Sequence, residues 1–132
     1  MASRCYCTLL RDAARKATAI YDDALAPARV TVAQYRLLRL VERNGPLSLT
    51  ELGRVADLDR STVGRNVRLL ERLGYVRFAA GPDQREARVE LVDHGRAALA
   101  AAKPLWDAAQ ARIEACVGAD LPARLHSLLT AL

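Results

Sequence analysis

Between Val76 and Leu91 the hydrophobic period of this chain changes, and that change limits its fold more than any other feature. On either side, apolar residues recur at helical spacing. Here Val76 and Phe78 alternate with Arg77, and Ala87, Val89 and Leu91 alternate with Arg88 and Glu90. Gly81-Pro82-Asp83 between the two runs has the composition of a turn. One β-hairpin is therefore expected inside an otherwise helical chain of 132 residues, a length that suits one domain.

Before the hairpin, four helices are expected. The first runs from Tyr6 to Leu25, with Tyr6, Leu9, Leu10, Ala13, Ala17, Ile20, Tyr21 and Ala24 on its apolar side, and stops at Pro27. Thr31-Val-Ala-Gln34 has the form of a capping box. It opens a second helix that turns Tyr35, Leu38 and Val41 inward and ends at Asn44-Gly45-Pro46. A short helix from Thr50 to Ala56, a turn at Asp57-Leu58-Asp59 and a helix from Arg60 to Gly74 follow.

After the hairpin, Asp93 is placed to cap a long helix reaching Val117. Its expected inward stripe is Ala98, Ala102, Leu105, Trp106, Ala109, Ile113 and Cys116, and Pro104 should kink or loosen it. Asp120 opens a last helix carrying Leu121, Leu125, Leu128, Leu129 and Leu132. The fold class is thus mainly α with a β-hairpin (α+β).

Two helices joined by a tight turn and followed by a hairpin form a winged helix-turn-helix. The second of these helices has two unlike faces. Val63, Val67, Leu70 and Leu73 lie on one, and Ser61, Arg65, Arg68 and Arg72 on the other. The chain carries a net charge of +5, which suits a polyanionic partner. A helix of ordinary width enters the DNA major groove and reads base edges with its first turns. Ser61, Thr62 and Arg65 occupy those turns, with Arg60 just before them. Arg65 is assigned a base contact, and Arg68 and Arg72 are assigned phosphates. Arg85 and Arg88, near Asp83 on the hairpin, are assigned to the wing, where an arginine can enter a minor groove. Gly64 is read as permitting a close backbone approach to DNA or to another helix.

Leu49-Thr-Glu-Leu52, Leu58-Asp-Arg-Ser-Thr-Val63, Leu70-Glu-Arg-Leu-Gly-Tyr-Val76, Asp83-Gln-Arg85 and Val89-Glu-Leu91 with Gly95 together resemble the MarR family of bacterial transcriptional regulators. The resemblance extends over nearly the whole chain; Asp93 stands where the family often has threonine. It implies a triangular dimer built from the terminal helices, with Ser61, Thr62, Arg65 and Asn66 in the major groove and Arg85 in the minor groove. It also implies a pocket for a small aromatic or lipophilic effector.

A single domain of residues 1–132 follows, with its DNA-binding part at about 31–92 and dimerisation helices at about 4–26 and 93–132. The helix from Asp93 to Val117 would be roughly 36 Å long, more than a domain of this size can cover. Its stripe, and those of the first and last helices (Leu9, Leu121, Leu125, Leu128, Leu129), call for a second copy. A two-fold dimer would match a pseudo-palindromic operator in double-stranded DNA.

The signal sensed has several readings. Cys7, Tyr21 and Tyr35 resemble the cysteine and tyrosines of the organic-hydroperoxide-sensing branch, although Val32 stands where a second bonded tyrosine is expected. Cys116 of a partner could meet Cys7. The first turn of a helix, between Arg4 and Arg11, would favour a thiolate at Cys7. Alternatively the cysteines only fill an interface. Cys5-x-Cys7 places its sulfurs on opposite sides of a helix, which disfavours chelation, and no metal or cofactor is assigned. The primary expectation is a repressor released by a small molecule; the alternative is a cysteine-based redox sensor. No phosphate-binding glycine loop, metalloprotease motif or nucleophile with its base marks an enzyme. No stretch approaches the roughly 20 apolar residues of a membrane helix and the opening residues lack a signal-peptide core, so a cytoplasmic protein is expected.

Overall fold

The computed structural model describes residues 4–81 and 86–132. Helix α1 spans Tyr6–Leu25 and runs into a 3-10 turn at Ala26–Ala28, which contains Pro27. Helix α2 spans Val32–Asn44, strand β1 Leu47–Ser48, α3 Leu49–Ala56 and α4 Arg60–Arg72. The hairpin is β2, Val76–Ala79, and β3, Arg88–Leu91. It is followed by α5, Asp93–Val117, and α6, Leu121–Ala131. The expected order of helices and hairpin is observed, with one addition. Strand β1 pairs with β3 (Leu47 opposite Val89, Ser48 opposite Arg88), giving an antiparallel sheet in the order β1-β3-β2.

Local chemistry accounts for most of the boundaries. The Thr31 hydroxyl accepts from the Gln34 backbone N–H at 3.2 Å, and the Gln34 side chain accepts from that of Thr31 at 2.9 Å, completing the capping box. Asp22 on α1 adds a cap from outside, accepting from the Val32 N–H at 2.8 Å. Ser48, buried at 2% exposure, caps α3 by accepting from the Glu51 N–H. Arg29 holds a left-handed conformation (φ 59°) between α1 and α2, and its carbonyl accepts a 2.8 Å bond from the Tyr75 hydroxyl. That bond ties the exit of α4 to the joint between the first two helices.

The core lies between the helix-turn-helix, the sheet and the first half of α5. Leu25, Leu38, Leu52, Val63, Val67, Leu70 and Val89 are fully buried there. Three expectations are corrected. Leu73 is 42% exposed, because it is the C-cap of α4 and the departing chain sends Tyr75 and Val76 into the core instead. Asp93 is the first residue of α5, not its cap. Val92 takes the cap position with no side-chain bond, and the Asp93 carboxylate pairs with Arg96 at 2.7 Å. Ala87 precedes β3 and is exposed. Pro104 lies inside α5, as its place in the sequence pattern implied.

The terminal helices behave differently from the core. Along α1 only Leu25 is buried, and α6 has no buried residue. Of the expected α5 stripe, Ala98, Ala102 and Ala109 are buried, Leu105, Trp106 and Ile113 are half-buried, and Cys116 is exposed. Among the described residues, no helix is long and apolar enough to cross a membrane.

Candidate nucleic-acid interface

Helix α4 is held against α3 by a short turn. Asp57 adopts a left-handed conformation (φ 56°), and the Leu58 N–H donates to the Gly53 carbonyl at 2.9 Å. A Cβ on Gly53 would lie 2.9 Å from the Leu58 carbonyl oxygen, so only glycine lets the turn close. With Val63, Val67 and Leu70 buried, the opposite face of α4 points away from the protein. Arg60, Ser61, Arg65, Arg68 and Arg72 are exposed on α4, and Thr62 and Asn66 are half-buried at its edge. The helix therefore gathers all seven of its expected contact residues, four of them arginines.

Asp59 starts the helix. Its Oδ1 accepts from the Thr62 N–H at 2.8 Å and from the Ser61 hydroxyl at 2.7 Å, while its Oδ2 accepts from the Thr62 hydroxyl at 3.1 Å. Arg65 Nη2 donates to Thr62 Oγ1 at 3.4 Å. These donors, led by the Thr62 backbone N–H, lower the Asp59 carboxyl to about 2 from an ordinary 3.8. A carboxyl lowered on folding stabilises the fold above its unfolded value, and that contribution is lost as pH falls through about 2. The cap is thus intact at every physiological pH.

Gly64 is buried and faces α3, where a Cβ would meet Leu49 Cδ1 at an ordinary 3.9 Å. The space for a methyl group is present, so no close backbone approach requires glycine here. Gly64→Ala should raise stability by up to about 1 kcal/mol through helix propensity, read as a higher urea midpoint with the slope unchanged.

Two residues missed in the sequence belong beside this face. Arg54, exposed on α3, lines with Arg60 the groove where the two helices meet. The only sequence signal for it was its outward phase on an eight-residue helix. Thr50, at the start of α3, donates to Glu86 at 3.3 Å and so fastens the returning limb of the hairpin. Asp83 and Arg85 lie outside the described residues. Arg88 opens β3, half-buried and registered against Ala79 and Ser48, so it sits in the ladder rather than on a free loop.

The expected sensor residues do not come together within the chain. Cys7 is exposed in the first turn of α1. Tyr21, fourteen residues further along the same helix, is displaced from it by a rise of roughly 21 Å. Cys116 is exposed near the other end of α5. At the helix start it is Cys5 that takes the N-cap position, and bonds led by the Thr8 side chain hold its thiol below the ordinary value. Tyr21 and Tyr35 instead share a half-open cleft of about 380 Å³ with Val32, Arg36, Arg39, Leu40, Arg43 and Trp106. Burial raises the Tyr21 hydroxyl above its usual value. The Arg39 guanidinium lies 5.2 Å from the Trp106 ring centre and 5.7 Å from that of Tyr35.

Comparison with known proteins agrees with this geometry. Residues 30–86 match the profile of the MarR family. The HTH-type transcriptional repressor NicR of Pseudomonas putida is 32% identical over 97 residues, which cover 73% of this chain and 61% of that protein. The match thus spans under two thirds of that relative's length. The M. tuberculosis transcriptional regulator MosR, solved in complex with DNA, is 37% identical, with 97% of this chain and 93% of that one covered and a TM-score of 0.86. The transcriptional repressor CouR, solved with p-coumaroyl-CoA, is 26% identical, covers 96% of this chain and 89% of its own, and has a TM-score of 0.84.

Proposed function

The chain belongs to the MarR family of transcriptional regulators, and from that premise we propose that it is a cytoplasmic, sequence-specific repressor that binds double-stranded DNA as a homodimer. The observation that carries this reading is the exposed face of α4. Arg65, Arg68 and Arg72 line it, with Arg60 exposed at the start of the helix, and the other side of that helix is locked into the core. The DNA-bound relative has the same fold at 37% identity. Arg65, in the second turn, is suited to a two-point contact with guanine, and Arg68 and Arg72 to phosphates. The hairpin carries the second contact, with Arg88 at its base.

Fluorescence anisotropy with the DNA upstream of the protein's own gene tests this division. Arg65→Ala should weaken binding by about 1–3 kcal/mol and relax preference at one position of each half-site. Arg68→Ala and Arg72→Ala should weaken all sequences alike and flatten the salt dependence. Identical profiles for the three variants would refute the assignment of base and phosphate contacts, and no binding by the wild type would refute the function.

The cleft beside Tyr35 supports release by a small molecule. Its volume is within the range of ligand sites. It sets the apolar faces of Val32, Leu40 and Trp106 against Arg36, Arg39 and Arg43, a lining suited to an aromatic or acyl group bearing negative charge. It bridges α1, α2 and α5, so an occupant would touch both the terminal helices and the element leading into the DNA-binding part. Aryl carboxylates and p-coumaroyl-CoA should lower the DNA affinity of the wild type. Trp106→Ala should leave DNA binding intact and abolish that response; an unchanged response would place the effector elsewhere.

A further inference from the structure

The opening turn of α4 fixes the hydrogen-bonding polarity of its hydroxyl groups. An ionised carboxylate only accepts, whereas a hydroxyl has one proton and two lone pairs. Ser61 Oγ lies 2.7 Å from Asp59 Oδ1 and Thr62 Oγ1 lies 3.1 Å from Asp59 Oδ2. In both contacts the hydroxyl must be the donor. Each side chain thus directs its only proton back to Asp59 and leaves lone pairs for anything approaching from outside. On Thr62, one of those lone pairs already faces Arg65 Nη2 at 3.4 Å.

That polarity restricts what the two residues can bind. Phosphate oxygens, guanine O6 and N7, adenine N7 and thymine O4 are all acceptors. In the major groove only the N6 amine of adenine and the N4 amine of cytosine donate. On the reading of α4 as the helix that enters the major groove, we infer that Ser61 and Thr62 are specificity determinants accepting from adenine N6 or cytosine N4 amines, and that Asp59 is the positioning residue that imposes this polarity. The Asp59 charge also repels phosphates from the first turn and leaves them to Arg68 and Arg72 further along. Arg65 supplies only donors, so Thr62 and Arg65 side by side present an acceptor and a donor. A G·C pair offers the complementary set, an amine on cytosine and O6 with N7 on guanine.

Base analogues in the preferred duplex test this directly. Each adenine is replaced in turn by purine nucleoside, which lacks the N6 amine, or by 7-deazaadenine, which lacks the N7 acceptor. Each cytosine is replaced by 2-pyrimidinone nucleoside, which lacks the N4 amine. For the wild-type dimer, amine deletion at one or two positions per half-site should weaken binding about fivefold, the scale of one net hydrogen bond. At any such adenine, 7-deazaadenine should have no effect. Ser61→Ala and Thr62→Val, which both keep the bond from the Thr62 N–H to Asp59, should each erase the amine sensitivity of one position. Asp59→Ala frees both hydroxyl protons and should move the sensitivity from the amine to N7 at an adenine contact. A uniform loss with the amine pattern retained would show that Asp59 is only a helix cap. Wild-type sensitivity to N7 in place of the amine, or an amine pattern unchanged in Ser61→Ala and Thr62→Val, would overturn the inference. Failure to bind any duplex would instead refute the reading of α4 on which it rests.

Discussion

Gly95→Ala is expected to abolish or severely impair folding. Alanine is the better helix former by about 1 kcal/mol, so propensity alone favours the change. The geometry opposes it with greater force. A Cβ at this position would lie 2.0 Å from the Tyr75 carbonyl oxygen and 2.9 Å from its carbonyl carbon, with Leu91 Cδ2 at 3.2 Å. The obstruction is backbone and cannot rotate away. The same carbonyl accepts from the Val92 N–H at 3.2 Å, so pushing Tyr75 aside also disturbs the junction of β3 with α5. Tyr75 is 3% exposed, and its hydroxyl holds the Arg29 joint. Overpacking well-filled interiors costs about 1–3 kcal/mol and more where backbone must shift, against a total stability of about 5–15 kcal/mol. Circular dichroism and thermal melting of the purified variant check this. A melting temperature equal to that of the wild type would mean that the approach of α5 to the α4 exit is looser than described.

The second large effect concerns α6. Leu125 and Leu128 are 38% and 36% exposed and Leu129 is 72%, on a helix with no buried residue, and Leu132 just beyond it is 92% exposed. At the other end of the chain, Tyr6, Leu9 and Leu10 are 82%, 44% and 43% exposed. Two terminal helices with uncovered apolar sides are explained if a second copy covers both. Leu125→Asp or Leu128→Asp would place an unpaired carboxylate in that interface, where removal from water costs several kcal/mol. Light scattering should then show dissociation or aggregation in place of a dimer. DNA affinity should fall by orders of magnitude, because the two half-sites are no longer held together. A variant that remains a dimer and binds DNA normally would remove α6 from the interface.

The sequence was most legible where the signal is local and repeated. The capping box at Thr31, the left-handed Gly74 (φ 81°) beyond α4 and the helical phase of Val63, Val67 and Leu70 each depend on residues a turn or so apart, and all are observed. Strand β1 was not legible. Two residues contain no period, and Leu47 and Ser48 are a strand only because β3, far along the chain, offers them an edge. Leu73 kept the helical phase of its neighbours, but the helix ended beneath it. Of the candidate site, the α4 face followed from periodicity alone. The Asp59 bonds that orient its hydroxyls did not, since periodicity does not indicate that one carboxylate accepts from both Ser61 and Thr62. The cleft was also out of reach, because Tyr21, Tyr35 and Trp106 come from three helices that meet only after folding. Cys7 and the tyrosines stood at suggestive spacing in one dimension, and the rise of α1 separates them in three.

Selection of duplexes from a random pool by the wild-type protein, with the salt dependence of the winners measured, tests the central claim most directly. A DNA-binding dimer of this architecture should enrich two inverted half-sites about one helical turn apart. Binding of the enriched duplex should fall steeply and log-linearly with salt, as phosphate contacts by several arginines require. Enrichment of no sequence, or of one unrepeated half-site bound by a monomer, would contradict the account.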